Sequence, residues 1–261
     1  MDLNYIKNVA TGAAFRSAEI LNRFFGKLTD IGKKGPDDLV TEADIASEKQ
    51  IIETIRSKFP DHDILAEESG WHQTGKSPYR WIIDPLDGTT NYAYQIPIFS
   101  ISIGFAIDNE MMVGLVLNPV SGELFTAVRG RGAFLNGTPI RVSDRKDIGE
   151  ALLVTGFPYD VDQILRNAMR RFEACLTAAR GVRRLGSAAL DLCFVACGRF
   201  DGFWEEHLKP WDTAAGIVIA AEAGAVITDF SGHPFTVDKK EILAANGHIH
   251  GQLQSILEIK I

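Results

Sequence analysis

The chain has 261 residues, 46% of them hydrophobic, enough to bury a sizeable core as one large domain or two closely packed halves. Its formal net charge of -7 argues against nonspecific nucleic-acid binding as the main activity, although bound cations can reverse the field of an acidic protein locally. No apolar run reaches the roughly 18 residues of a membrane span, and Met1 to Tyr5 carries no basic segment leading into an apolar stretch, so a cytoplasmic protein with no membrane partner is expected.

Apolar residues from Leu3 through Ile6, Val9, Ala13, Ile20 and Leu21 to Phe24 predict a first helix closing at Gly26. Gly32 to Asp38 reads as a mobile loop, and a second helix should start after Thr41 and stop before Pro60. From Asp63 to about Val142 the period shortens. Strands are expected at Ile64-Leu65, Tyr79 to Ile83, Phe99 to Ile107, Met112 to Leu117, Leu124 to Val128 and Phe134-Leu135, separated by turns such as Asp108-Asn109 and Asn136-Gly137. Beyond Ala151 come a strand at Leu152 to Thr155, helices over Asp162 to Ala179 and Ser187 to Ala196, and a strand at Gly202 to Trp204. A helix over Asp212 to Ala223, strands at Ala225 to Thr228 and Ile242 to Ala245, and a last helix complete the chain. The outline is an α/β (α+β) protein with an N-terminal half of about 1–145 and a C-terminal half of about 146–261 stacked as one unit. Cys175, Cys193 and Cys197 lie in apolar helical patterns as reduced core thiols, and His207, His233, His248 and His250 read as surface histidines.

The densest chemistry lies in Trp81 to Tyr92. The apolar run Trp81-Ile82-Ile83 ends in Asp84-Pro85-Leu86-Asp87-Gly88, where Pro85 should stop the strand ladder and Gly88 should permit a tight turn. Two neighbouring carboxylates repel unless one holds a proton or a cation neutralises them, and oxygen ligands suit Mg2+ better than zinc. Taken alone this is also the composition of an ordinary surface turn. Three further acids sit in comparable places: Glu67 after the short strand, Asp44 inside the second helix, and Asp212 after Pro210-Trp211 at a helix start. Singly, Asp212 and Asp44 read as helix-capping acids and Glu67 as part of a solvated loop.

In order along the chain, Asp38-Leu39-Val40-Thr41 through Asp44, Glu67-Glu68-Ser69, Trp81 through Thr90, Gly186-Ser187-Ala188-Ala189 and Trp211-Asp212-Thr213-Ala214-Ala215-Gly216 resemble the inositol monophosphatase family, within the lithium-sensitive, magnesium-dependent phosphatases. The stretch from Leu185 to Gly216 is most similar to the bacterial members, and Ala66 stands where many relatives have glycine. The resemblance implies a layered α-β-α-β-α sandwich, a homodimer and a site for two to three Mg2+ ions. Glu67, Asp84 and the Leu86 carbonyl would hold the first ion, and Asp84, Asp87 and Asp212 the second. Thr89, tied to Asp44, would with Glu67 activate the attacking water, and phosphate would rest on the ions and on the N–H groups of Gly88 and Thr89. Lys33 matches a loop lysine near the site, with Lys34 one residue away. For the alcohol part of the substrate the resemblance points to Ser187, Ala188 and Glu205, with Glu206 adjacent.

The activity implied is hydrolysis of myo-inositol 1-phosphate and related polyol phosphates, inhibited by Li+, by in-line attack of water. Fructose 1,6-bisphosphate or a nucleotide phosphate is the nearest alternative, because such relatives share the acidic motifs. Arg183 or Arg184 could then meet a second phosphate, whereas Arg166, Arg170, Arg171, Arg180 and Arg199 read as a solvated helix face or a dimer contact. A reading of another class makes the Arg166 to Arg184 surface a scaffold for a transcription or RNA partner.

Overall fold

The structure, a computed structural model, describes residues 1–28, 31–33, 39–75, 77–157 and 164–258. Ile6, Val9, Ala10, Ala13, Ala14 and Leu21 recur at helical spacing and bury one face of α1 (Leu3–Phe24), whose first turn is capped by Asp2. Where a loop over 32–38 was expected, β1 (Ile31–Lys33) pairs antiparallel with β2 (Leu39–Thr41), while residues 34–38, including Lys34 and Asp38, lie outside the described part. Helix α2 (Glu42–Arg56) follows directly. Thr41 caps it, and Asp44 accepts the Thr41 N–H in return, closing a capping box.

Strands β3 (Asp63–Ala66), β4 (Gly70–His72) and β5 (Tyr79–Asp87) come next, then the short α3 (Thr89–Ala93). A meander of β6 (Ser100–Ile107), β7 (Glu110–Asn118), β8 (Glu123–Val128), β9 (Ala133–Leu135) and β10 (Thr138–Ile140) follows. The second half runs β11 (Leu152–Thr155), α4 (Ile164–Ala178), β12 (Gly181–Arg183), α5 (Ala188–Ala196), β13 (Gly202–Glu206), α6 (Pro210–Glu222), β14 (Ala225–Thr228), β15 (Glu241–Asn246) and α7 (His250–Leu257). Asp162, expected to open the helix that becomes α4, lies outside the described residues.

Among the described residues, β10-β9-β8-β7-β6-β5-β3-β4 form an eight-stranded sheet and β12-β11-β13-β15-β14 a five-stranded one. Helices α1 and α2 cover the outer face of the large sheet through Ile6, Leu21, Ile51 and Ile55, packed on Trp81, Ile83 and Phe105. Between the sheets, α5 and α6 bury Leu192, Val195 and Ile219 against Val116, Phe125, Val154 and Phe203. The far face of the small sheet is closed by Cys175 of α4 and Leu253 and Leu257 of α7. The layers are therefore α-β-α-β-α. No helix among the described residues is long and apolar enough to cross a membrane.

The middle layer needs a trough. Gly104 of β6 and Gly114 of β7 are directly paired, and α6 lies across them: a Cβ on Gly104 would come within 2.9 Å of the Ala214 Cβ, and one on Gly114 would strike the Ala215 carbonyl oxygen. Side chains at this pair would lift α6, and Asp212 in its first turn, away from the sheet.

Several local expectations change. The short β4, β10 and β12 and the single-turn α3 were not foreseen, because three to five residues carry too little periodicity. Strand β5 does not end at Pro85: it runs to Asp87 through a register shift, and Pro85 is accommodated at that irregularity. His250 is not a surface histidine. It is buried, its Nε2 lies 3.0 Å from the Thr228 hydroxyl, and burial lowers its pKa. Arg171 does not belong to a solvated face either, since it pairs with Glu206 and stacks on Phe230 inside the α4–β13 contact. Arg199 instead pairs with Glu123 and covers Phe194.

Candidate active site

Asp84 and Asp87 are three residues apart, and in a regular strand an odd separation sends side chains to opposite faces. The register on β6 passes from Asp84↔Ser102 to Asp87↔Ser100, so β5 holds one residue more than its partner. That extra residue corrects the parity, and both acids line one cavity. The bulge is pinned from behind: the Ser47 hydroxyl of α2 donates to the Pro85 carbonyl at 2.9 Å and meets Ser17 of α1 at 2.5 Å. Asp84 Oδ1 accepts the Leu86 N–H at 2.9 Å. Gly88 then turns the chain with φ +100°, and a Cβ there would lie 3.1 Å from the Gly186 and Ile98 carbonyls, so glycine is required twice over.

Asp87 is held from across the cavity. Its Oδ2 accepts the Ser187 hydroxyl at 2.5 Å, the Ala189 N–H at 2.9 Å and, more weakly, the Ser100 hydroxyl at 3.3 Å. Ser187 thus ties the start of α5 to the acidic corner, with its hydroxyl committed to a carboxylate; Ala188 beside it lines the cavity. Thr89 Oγ1 lies 3.1 Å from both Asp44 Oδ1 and the Leu86 carbonyl, bridging α2 to β5. Glu67 follows β3, its N–H bound to the Ile83 carbonyl at 3.1 Å, and it hydrogen-bonds Asp84. Asp212 gives one oxygen to the Lys209 N–H as a helix cap and still lines the cavity, so capping and site placement coexist.

Glu205 and Glu206 separate cleanly. Glu205 lines the cavity, whereas Glu206 turns to Arg171. A Cβ on Gly156 would overlap the Glu205 carboxylate, so the bare backbone at the end of β11 makes room for it. Lys33 falls in β1, and its side chain lies outside what is described.

The cavity encloses about 120 Å³ and is lined by Glu67, Asp84, Asp87, Asp191, Glu205 and Asp212, with Arg184, exposed at the rim, as the single basic residue in that lining. Burial pushes the Asp84 carboxyl well up, helped by Glu67, Asp87 and Asp212. Asp87 rises to about 6 for the same reason, despite the hydrogen bonds from Ser187 and Ala189 that pull it down. Burial likewise raises Asp212, and Asp87 and Glu67 add to the rise. Buried acids with so little compensating charge call for protons or a cation, and all their donor atoms are hard oxygens. The set therefore fits a divalent cation such as Mg2+ in kind, although among the described residues no three His, Cys, Asp or Glu side chains are gathered as a ready metal cluster.

Two contributors escaped sequence reading. Glu48 of α2 is 3% exposed, and its carboxylate accepts the Glu68 and Ser69 N–H groups at 2.7 and 2.9 Å, holding the turn that presents Glu67. Asp191 is an acid inside the otherwise apolar α5. That isolation was a readable signal, because a charge in a buried helix requires a partner.

The sequence model of the inositol monophosphatase family matches residues 2–260. The chain is 46% identical over 257 residues to an inositol-1-monophosphatase of Synechocystis, covering 98% of this chain and 90% of that one. It is 42% identical over 245 residues to the Nus factor SuhB of Pseudomonas aeruginosa, covering 92% and 90%. Among solved structures, the extragenic suppressor protein suhB of Bartonella henselae superposes with a TM-score of 0.95 at 39% identity, over 98% of this chain and all of that one. The inositol monophosphatase of Anabaena (Nostoc) superposes at 0.89 and 42% identity, over 98% and 96%. With its acidic corner, its layered fold and a match over nearly its whole length, the chain belongs to the inositol monophosphatase family.

Proposed function

We propose that the protein is a Mg2+-dependent phosphomonoesterase acting on myo-inositol 1-phosphate and related polyol monophosphates, and that it works as a homodimer in the cytoplasm. The observation that carries this reading is one cavity in which Glu67, Asp84, Asp87 and Asp212 converge beside the linked Thr89 and Asp44. Glu67, Asp84 and the Leu86 carbonyl would hold one ion and Asp84, Asp87 and Asp212 another, after side-chain rotation, with Glu67 helping to hold a weaker third. Bound there, such cations neutralise the acids, polarise the phosphate and make water a better nucleophile.

The chain's own groups supply the proton path. Asp44 Oδ1, 3.1 Å from Thr89 Oγ1, takes the threonine proton, and Thr89 Oγ1 is then free to accept one from the attacking water. Backbone N–H groups of Gly88 and Thr89 would meet phosphate oxygens, and Glu205 and Ala188 the alcohol. Arg184 faces both Glu205 and Asp191, which offset its charge, and this favours a hydroxyl-bearing monophosphate over a bisphosphate such as fructose 1,6-bisphosphate.

The test is phosphate release from inositol 1-phosphate, fructose 1,6-bisphosphate and adenosine 3',5'-bisphosphate, each with and without Mg2+ and Li+. Mg2+-dependent preference for the inositol ester with loss under Li+ is expected. Asp87→Asn and Asp212→Asn should each abolish turnover, and full activity in either would sink the assignment.

Relatives named Nus factor SuhB support a second reading, a role with a transcription partner. With Arg171 turned inward and Arg184 lining the cavity, the exposed Arg166, Arg170, Arg180 and Arg183 are available to it. Reversing Arg166 and Arg170 should then abolish association with the transcription machinery without loss of phosphatase turnover; unchanged association would remove the reading.

A further inference from the structure

Asp191 is 1% exposed, and its Oδ1 has no hydrogen-bond partner within the protein. Burying a carboxylate oxygen unpaired is unfavourable, and native folds rarely leave such a group without a reason. The residue lines the same cavity as the acidic corner, on the wall shared by Ala188, Glu205 and Arg184. It is none of the acids assigned to the ions. Its charged neighbours are Glu205, Asp87 and Arg184.

Nothing in the protein donates to that oxygen, and a donor that enters the cavity would complete it. An anion is unsuited, because with Asp87 given to the ions Glu205 still faces the same space, and Arg184 offsets only one of the two remaining charges. A hydroxyl suits it well: it donates to Asp191 and keeps a lone pair for Arg184. We infer that Asp191 is a specificity-determining residue that accepts a hydrogen bond from a free hydroxyl on the alcohol part of the substrate. This rests on the phosphomonoesterase reading. It adds to Glu205 a second acceptor on the alcohol side, so that a polyol is held at two points and an alcohol without hydroxyls leaves both acids unpaired.

The experiment compares kcat/KM for myo-inositol 1-phosphate and for 4-nitrophenyl phosphate, whose alcohol part bears no free hydroxyl. In Asp191→Ala the ratio of the two should fall about tenfold, carried by a rise in KM for the inositol ester. Asp191→Asn keeps a carbonyl acceptor and should recover part of that ratio, which a merely structural role would not produce. It also carries the test alone, through a smaller fall in the same ratio, should the alanine variant fail to fold. A ratio within about twofold of the parent in both variants, with only the melting temperature moved, would overturn the inference. If the parent protein cleaves neither ester, the underlying phosphatase reading has failed, a result distinguishable from cleavage that is insensitive to Asp191.

Discussion

Asp44 shows how one side chain serves fold and chemistry together. It closes the α2 capping box through Thr41 and receives the Thr89 hydroxyl 45 residues away in sequence. Burial pushes its carboxyl from 3.8 up to about 6, against the pull of its hydrogen bonds from Thr41 and Thr89. Because the folded value lies above the unfolded one, the stability it contributes is complete below pH 3.8 and is lost as pH rises through about 6. Asp44→Asn cannot ionise, so in thermal melts without divalent cation the advantage of the parent over the variant should shrink between pH 4 and pH 7. Under the proposed mechanism the same substitution removes the proton acceptor behind Thr89, and phosphate release should fall about 100-fold or more. Legibility at this scale was uneven. Thr41 and Asp44 announce a cap by their spacing alone, whereas no spacing carries the link to Thr89: the family resemblance implied it, and it forms once α2 is packed on β5.

At the scale of elements, the site depends on how closely α6 approaches the large sheet. The paired Gly104 and Gly114 let Ala214 and Ala215 settle onto β6 and β7, bringing Asp212 to the cavity. Gly114→Ala should lower stability by about 1–3 kcal/mol through overpacking, visible as a lower urea midpoint with unchanged slope. Because the helix must move, the Mg2+ concentration needed for half-maximal phosphate release should rise as well; an unchanged value would show that α6 does not set the Asp212 position. Amphipathic helices and long strands could be read directly, since their apolar residues follow the backbone period. The bulge in β5 could not. Pro85 signalled a break in the ladder, but whether a strand ends or bulges is decided by β6 alongside it and by the Ser47 hydroxyl behind it.

For the whole molecule, the consequence is a cluster of buried acids suspended between two sheets. Their mutual repulsion opposes folding until it is relieved, so Mg2+ should stabilise the protein beyond any general salt effect. A saturating excess should raise the melting temperature by roughly 5 °C or more, reversed by EDTA and not reproduced by NaCl at equal ionic strength. Equal shifts with both salts would mean that the acids do not bind the cation as a set.

Much of this was already written in local pattern. The alternation of helix and strand and the acids at element ends follow from backbone periods and turn chemistry, which act over a few residues and need no knowledge of the fold, whereas gathering those acids into one site rested on the family resemblance of the motifs. What required the folded chain are the choices among neighbours that look alike along the sequence. The resemblance already pointed to Glu205, but only packing turns Glu206 to Arg171 and the Ser187 hydroxyl to Asp87 and leaves Asp191 with an oxygen unpaired. Those outcomes depend on close packing between residues tens to a hundred positions apart, where backbone room at Gly156 or a single inward-turned arginine decides which carboxylate enters the site.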